Sequence, residues 1–186
     1  MRLFAAIPIE RTLREWIDRA IGEYRGAFPG ARWIRSENLH LTLRFFGEVP
    51  DAAIGELVDF LESGVSGMEE EVRPLVVSGF GRFEGNARDV FWIGVRNDRW
   101  LTELAARLSG PVANVVPEDR PFRPHVTVCR IRLDREGRET THEMQNRLAR
   151  RGIAEGTQSE LRCVLYESDL SQPGSSYREI WTRRLI

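Results

Sequence analysis

Two four-residue phrases, His40-Leu41-Thr42-Leu43 and His125-Val126-Thr127-Val128, alternate polar and aliphatic side chains. A period of two fits an extended strand and no helix, because successive side chains on a strand leave opposite faces. Each phrase therefore demands an apolar face in a core and a polar face turned away, with His40 beside Thr42 and His125 beside Thr127. Of the chain's three histidines, two carry threonine at the second following position. Threonine fills about one position in twenty, so the coincidence is roughly a 1% event. One His-x-Thr alone carries little meaning. The pair points to two imidazoles and two hydroxyls at one place, equipment for paired acid–base work on an anionic centre. The alternative is two strand histidines that never meet, each with its own hydrogen-bond partner.

At 186 residues, 41% hydrophobic and 30% charged, the chain reads as one domain, 1–186, of ordinary globular composition. No apolar run is long enough to span a membrane, and Met1-Arg2-Leu3-Phe4 runs into a strand pattern rather than a leader peptide. The two cysteines, Cys129 and Cys163, sit in apolar strand-like runs without metal or redox spacing, so a cytoplasmic protein with reduced thiols and no membrane partner is expected. Net charge is −1, which leaves any nucleic-acid binding to a local patch. Every basic residue is arginine. Without lysine the chain has neither the nucleophile of a lysine-adenylating ligase nor a Gly-x-x-x-x-Gly-Lys phosphate loop.

Leu3 to Ile7 reads as a strand, and Leu13, Ile17, Ile21, Tyr24 and Phe28 recur at helical spacing up to Pro29-Gly30. A loop with Arg32, Trp33 and Arg35 leads to a strand over Leu39 to Phe46. Pro50-Asp51 opens a second helix that Gly64 and Gly67 close. Leu75 to Phe83 and Val90 to Val95 form a hairpin, and Asp98 is placed to cap a third helix. The proline-stiffened loop from Pro117 to Pro124 feeds the second histidine strand. Thr140 and Glu143 have capping-box spacing for a fourth helix, with His142 exposed near its start. Strands over Leu161 to Tyr166 and Tyr177 to Leu185 come last, separated by the turn Pro173-Gly174-Ser175-Ser176. The order describes an α+β body of two similar halves, each giving one His-x-Thr strand. His142-Glu143-Met144-Gln145-Asn146 lacks the second histidine of a zinc helix, and no metal site is expected.

Arg32-Trp33 followed by Glu37-Asn38-Leu39-His40-Leu41-Thr42-Leu43-Arg44-Phe45 resembles the first motif region of the two-histidine phosphoesterases, in particular the RNA 2′,3′-cyclic phosphodiesterases, also called 2′-5′ RNA ligase-like proteins. Arg120-Pro121-Phe122-Arg123-Pro124-His125-Val126-Thr127-Val128-Cys129-Arg130 is similar to the second. Arg2 to Ile7 and Leu165-Tyr166-Glu167-Ser168 extend the likeness over essentially the whole chain.

The resemblance implies a bilobal fold with two antiparallel sheets around a central cleft and helices packed outside. It implies catalytic residues His40 and His125, substrate-binding residues Thr42, Thr127 and Arg130, no metal and no cofactor. Opening a 2′,3′-cyclic phosphate needs one neutral imidazole to activate water and one imidazolium to protonate the leaving oxygen. The family gives a 2′-phosphate, and His40 is expected as proton donor and His125 as acceptor. Expected partners are an RNA or oligonucleotide with a cyclic phosphate end, met by a monomer. Which such molecule is the substrate stays open: tRNA halves, oligonucleotides, a cyclic nucleotide and a cyclic ADP-ribose phosphate share the reacting group. ATP-independent 2′-5′ end joining and a non-catalytic RNA-binding role are the competing readings.

Strand parity adds further expectations. Arg32, Arg35, Arg44, Arg120, Arg123 and Arg130 surround the motifs as candidates for phosphate capture. Regular alternation places Arg130 opposite His125, so only a bulge would bring it to the site; it points Cys129 into the cleft as a structural thiol and Phe45 into the core. Trp33 and Tyr166 are further candidates to stack a base.

Overall fold

The computed structural model describes residues 1–115, 121–150, 153–169 and 176–186. Nine strands and four helices run in the order β1 (Arg2–Pro8), α1 (Arg11–Ala27), β2 (Arg32–Trp33), β3 (His40–Glu48), α2 (Ile54–Val65), β4 (Leu75–Phe83), β5 (Arg88–Val95), α3 (Arg99–Arg107), β6 (His125–Arg132), α4 (Arg135–Arg150), β7 (Gly156–Gln158), β8 (Arg162–Asp169) and β9 (Ser176–Arg184). The sheet has the strand order β7-β4-β5-β6-β3-β1-β8-β9, with β2 pairing β6 off that path. All pairings are antiparallel.

The two expected sheets are thus halves of one. Their joint is narrow: β3 meets β6 through one registered pair, Leu41 with Val126, whereas β5 and β6 pair over seven positions. The α+β architecture and the two halves carrying one histidine strand each are as expected from sequence.

The apolar alternates of the histidine strands explain why the halves hold together. Leu41 and Val126 are fully buried in a core that also contains Ile7, Ile93 and the inward residues of α1, α2 and α3. Burying each such side chain contributes roughly 1.5–3 kcal/mol. With the helices on that side, the opposite face carries His40 and His125.

Three local readings need correction. The fourth helix begins five residues before Thr140. Asp134 Oδ1 accepts from the Gly137 amide at 2.9 Å, and Thr140 lies mid-helix with its hydroxyl on the Glu136 carbonyl. An aspartate bonding to the third helical amide satisfies that end directly, which leaves the capping-box spacing incidental. His142 is exposed, but within the helix rather than at its start. Asp98 does precede α3, yet its carboxylate is held by Arg96 Nε at 3.0 Å instead of an α3 amide. The short strands β2 and β7 were too brief for any periodicity to show.

Candidate active site

The Leu41–Val126 register sets His40 and Thr42 of β3 next to Thr127 and His125 of β6 on the helix-free face. The two imidazoles are close enough for the charge of one to lower the pKa of the other. All four expected residues are brought together, each half-buried.

Both histidines are held alike. His40 Nδ1 lies 2.7 Å from the Asn38 carbonyl, and His125 Nδ1 lies 2.6 Å from the Arg123 carbonyl. A carbonyl only accepts, so Nδ1 carries the hydrogen in both rings and Nε2 is left as the basic nitrogen. In each case the anchoring carbonyl is two residues before the histidine, in the segment entering the strand.

Each ring is also walled by two aromatics. Phe4 and Tyr177 stand 5.0 and 5.3 Å from His40 between ring centroids, and Phe83 and Trp92 stand 4.8 and 6.1 Å from His125. Gly81 makes room for Trp92, since a Cβ there would lie 2.1 Å from the indole. Burial disfavours charge, which lowers the pKa of His40 to about 4 and that of His125 in the same direction. The nearby Arg130 charge depresses His40 further. Both imidazoles are therefore neutral at pH 7 until an anion enters.

The strands are not regular, and that alters three expectations. In β6, Phe91 pairs with Cys129 but Trp92 with Thr127, so Val128 is an extra residue. In β3, Ala5 pairs with Arg44 but Ala6 with Thr42, so Leu43 is likewise extra. Both bulges fall three residues after the histidine, and each reverses the parity of the strand beyond it. Arg130 consequently shares the face of His125 and Thr127, as phosphate contact would require. Cys129 turns instead into the core, fully buried with Sγ 3.9 Å from Met144 Sδ, and its pKa is pushed up to about 12 by burial. Phe45 is not in the core: it is 54% exposed on the site face, 5.7 Å from Phe4.

Arg44 also moves from its expected role. Its parity is inverted, and the guanidinium is buried between the Phe46 and Phe60 rings, donating to the Leu108 and Gly110 carbonyls at 2.6 and 2.5 Å. It ties the end of α3 to β3 and does not face the cleft. Arg35 is exposed beside Glu37 at 3.5 Å, Arg123 is exposed next to His125, and Arg32 faces Arg130 across β2 and β6. Arg120 lies outside the described residues, as do 117–119 of its loop and 173–175 of the later turn. Trp33 is structural: its Nε1 donates to the Phe28 carbonyl at 3.1 Å and Arg25 covers the ring.

Two clefts flank the histidines. One, of about 320 Å³, lies by His40 between Asn38, Tyr166, Tyr177 and the ion-paired Glu10, Arg162 and Glu179. The other, of about 280 Å³, lies by His125 between Phe83, Trp92 and Phe122. Sequence reading passed over Phe4, Tyr177, Phe83 and Trp92. Their only signal was alternation on the strands beside the two phrases.

The sequence profile described as the 2'-5' RNA ligase superfamily matches residues 11–164. A Thermotoga maritima protein named RNA 2',3'-cyclic phosphodiesterase is 32% identical over 134 residues, 71% of each chain. One of the same name from Methanothermobacter thermautotrophicus is 27% identical over 193 residues, covering 100% of this chain and 99% of its own. Among solved structures, TT0787 of Thermus thermophilus superimposes with a TM-score of 0.68 at 23% identity, covering 100% of this chain and 98% of its own. E. coli LigT complexed with NADP+ does so at 0.64 and 23%, covering 98% and 96%. These likenesses extend the agreement between motif and fold over the whole chain, and the chain belongs to the 2'-5' RNA ligase superfamily.

Proposed function

We propose that the protein hydrolyses RNA 2′,3′-cyclic phosphate ends to 2′-phosphates without a metal ion, His40 serving as proton donor and His125 as acceptor. The observation that carries this reading is the matched pair of imidazoles, each fixed through Nδ1 and each left with Nε2 for proton transfer. The relatives' names give the substrate class.

His125 Nε2 takes a proton from water as its oxygen attacks phosphorus. The bond from phosphorus to the 3′-oxygen breaks, and the departing oxygen receives a proton from His40 Nε2. Thr42 and Thr127 donate to the non-bridging oxygens, where charge grows in the transition state. Arg130 supplies the fixed positive charge that favours anion binding. The bound phosphate also provides the proton-holding environment that His40 lacks in the free site, since a neighbouring negative charge raises an imidazole's pKa. Once protonated, a buried imidazolium is a strong acid, suited to an alkoxide leaving group.

The aromatic cleft beside His125 favours a second reading alongside the first. Phe83, Trp92 and Phe122 form stacking walls on the side where the nucleophile enters. A nucleoside 5′-hydroxyl seated there would replace water and give a 2′-5′ linkage, with water in excess keeping hydrolysis the main outcome. The proposal takes the protein as a cytoplasmic monomer; no helix among the described residues is long and apolar enough to cross a membrane.

The test is an end-group assay on a short RNA with a 2′,3′-cyclic phosphate, run in EDTA. The wild type should yield only the 2′-phosphate, and His40→Ala and His125→Ala should each lose at least about 10²-fold in kcat, the lower range for general acid–base catalysis. A 3′-phosphate product, a requirement for metal, or survival of either variant would overturn the reading.

A further inference from the structure

Many arginines of the described chain sit against carboxylates or carbonyls. In the cleft beside His40, for instance, Arg162 lies between Glu10 and Glu179. A row leading away from the site differs. Beyond the Val128 bulge, Arg130 and Arg132 alternate with buried Ile131 and so share the face of His125 and Thr127. Arg32 on β2 is the registered partner of Arg130, and Arg88 on β5 is the registered partner of Arg132. Directly paired residues project to the same face of a sheet. Four guanidinium-bearing residues thus occupy one face over two successive alternate positions of β6.

Among the described residues no carboxylate pairs with them. Asp89, the acid next to Arg88, is turned into the opposite side, 3% exposed and bonded to Arg82 Nη1 and the Gly85 amide at 3.0 Å each. Among the described residues none of Arg32, Arg88, Arg130 and Arg132 has an ion pair. Burial is the main cause that lowers the pKa of Arg130, and the Arg32 and Arg88 charges lower it further. Like charges gathered without counter-ions cost stability in the free protein and suit an anion that spans them. Arg32, Arg88 and Arg132 are exposed, so the row is open to a long ligand.

The position of the row says which part of a ligand meets it. The Leu41–Val126 register sets His40 opposite Thr127, and Arg130 and Arg132 follow Thr127 along β6, so the row begins on the His40 side of the reacting phosphate. In-line attack from the His125 side leaves the 3′-oxygen, its ribose and the rest of the strand on the His40 side. The chain then continues through the ribose 5′-oxygen to the next phosphate. Resting on the proposed function, we propose that Arg88 and Arg132, with Arg32 and Arg130, form a track for backbone phosphates 5′ of the cyclic end, which makes the enzyme select oligonucleotides over cyclic mononucleotides.

The experiment compares a cyclic mononucleotide, uridine 2′,3′-cyclic phosphate, with a tetranucleotide ending in the same group. The enzymes are wild type, Arg88→Gln, Arg132→Gln and the double variant. On the tetranucleotide, wild-type kcat/KM should be higher and fall more steeply with salt, by about 0.7 in log–log slope per phosphate contacted. The double variant should lose roughly tenfold or more on the tetranucleotide, as expected for charged hydrogen bonds, and stay within about twofold on the mononucleotide. Anisotropy of the labelled 2′-phosphate tetranucleotide reads the same track without turnover, with a salt slope shallower by about 1.4 in the double variant. Equal losses on both substrates, or an unchanged salt slope, overturn the track. An inert wild type whose binding slope still falls in the variants would instead overturn the hydrolytic function and leave the track standing.

Discussion

At the scale of single residues, burial and a backbone carbonyl together decide how the two imidazoles titrate. The carbonyl bonds fix Nδ1 as the protonated nitrogen, while desolvation lowers both pKa values, that of His40 to about 4. These shifts set the sign of the pH dependence. In the free enzyme the donor form of His40 is lost as pH rises through about 4, whereas the acceptor form of His125 is lost as pH falls below its own lowered value. The kcat/KM profile, which reports the free enzyme, should therefore peak on the acid side of 6.5 and decline above it. The kcat profile reports the complex and should lie at higher pH, because bound phosphate raises both values. Measured profiles with kcat/KM still rising through pH 8 would contradict the assigned roles. Cys129 gives a second residue-scale expectation. With its pKa near 12 and no exposure, it should resist iodoacetamide in the native protein, and Cys129→Ala should keep full activity while lowering stability by about 1 kcal/mol for the lost packing. Labelling with mass analysis, and urea melts of the variant, would check both.

At the scale of elements, the two bulges separate what could be read in the sequence from what could not. The faces of His40, Thr42, His125 and Thr127 were legible because they precede the extra residue in each strand. Those of Phe45, Arg44 and Cys129 were misread because they lie beyond it. A bulge leaves no compositional mark: Leu43 and Val128 look like any aliphatic alternate, and their status comes only from which partner positions β1 and β5 skip. The motif arginine did hint at it, since Arg130 could serve the site only if parity broke. Deleting Val128 should remove the bulge and leave regular alternation, with Cys129 still inward and Arg130 still on the face of Thr127, because their partners on β5 are unchanged. Such a variant should keep phosphate binding, measured by calorimetry with inorganic phosphate, while losing stability for the missing buried side chain. The helix ends teach a similar lesson. Asp134→Ala should cost about 1 kcal/mol by removing the cap of α4, lowering Tm by about 2–4 °C, while Thr140→Ala should leave it nearly unchanged.

At the scale of the molecule, the narrow joint between β3 and β6 contrasts with the continuity of the core beneath it. The Leu41–Val126 pair is the one registered link between the two half-sheets, but the buried cluster runs from Leu3 and Leu165 in one half to Val77 and Phe91 in the other. Neither half closes its own core, so both should unfold together. Tryptophan fluorescence and far-UV circular dichroism should give superimposable thermal transitions, with inorganic phosphate shifting both equally upward. Two separated transitions would show that each lobe stands alone. Net charge of −1 gave no hint of an anionic partner, because a total over the chain does not register where four arginines are gathered on one face.

The bulges fall at the same place in the two strands, yet the residues they deliver to the cleft differ. The fifth position after the histidine is Phe45 in one half and Arg130 in the other. A pair of like imidazoles on like strands has no head or tail of its own, and would greet a polymer equally from either end. An aromatic ring on one side and a cation on the other remove that equivalence. The scaffold repeats itself while the chemistry hung on it does not, and this gives the groove a direction in which a strand must be threaded.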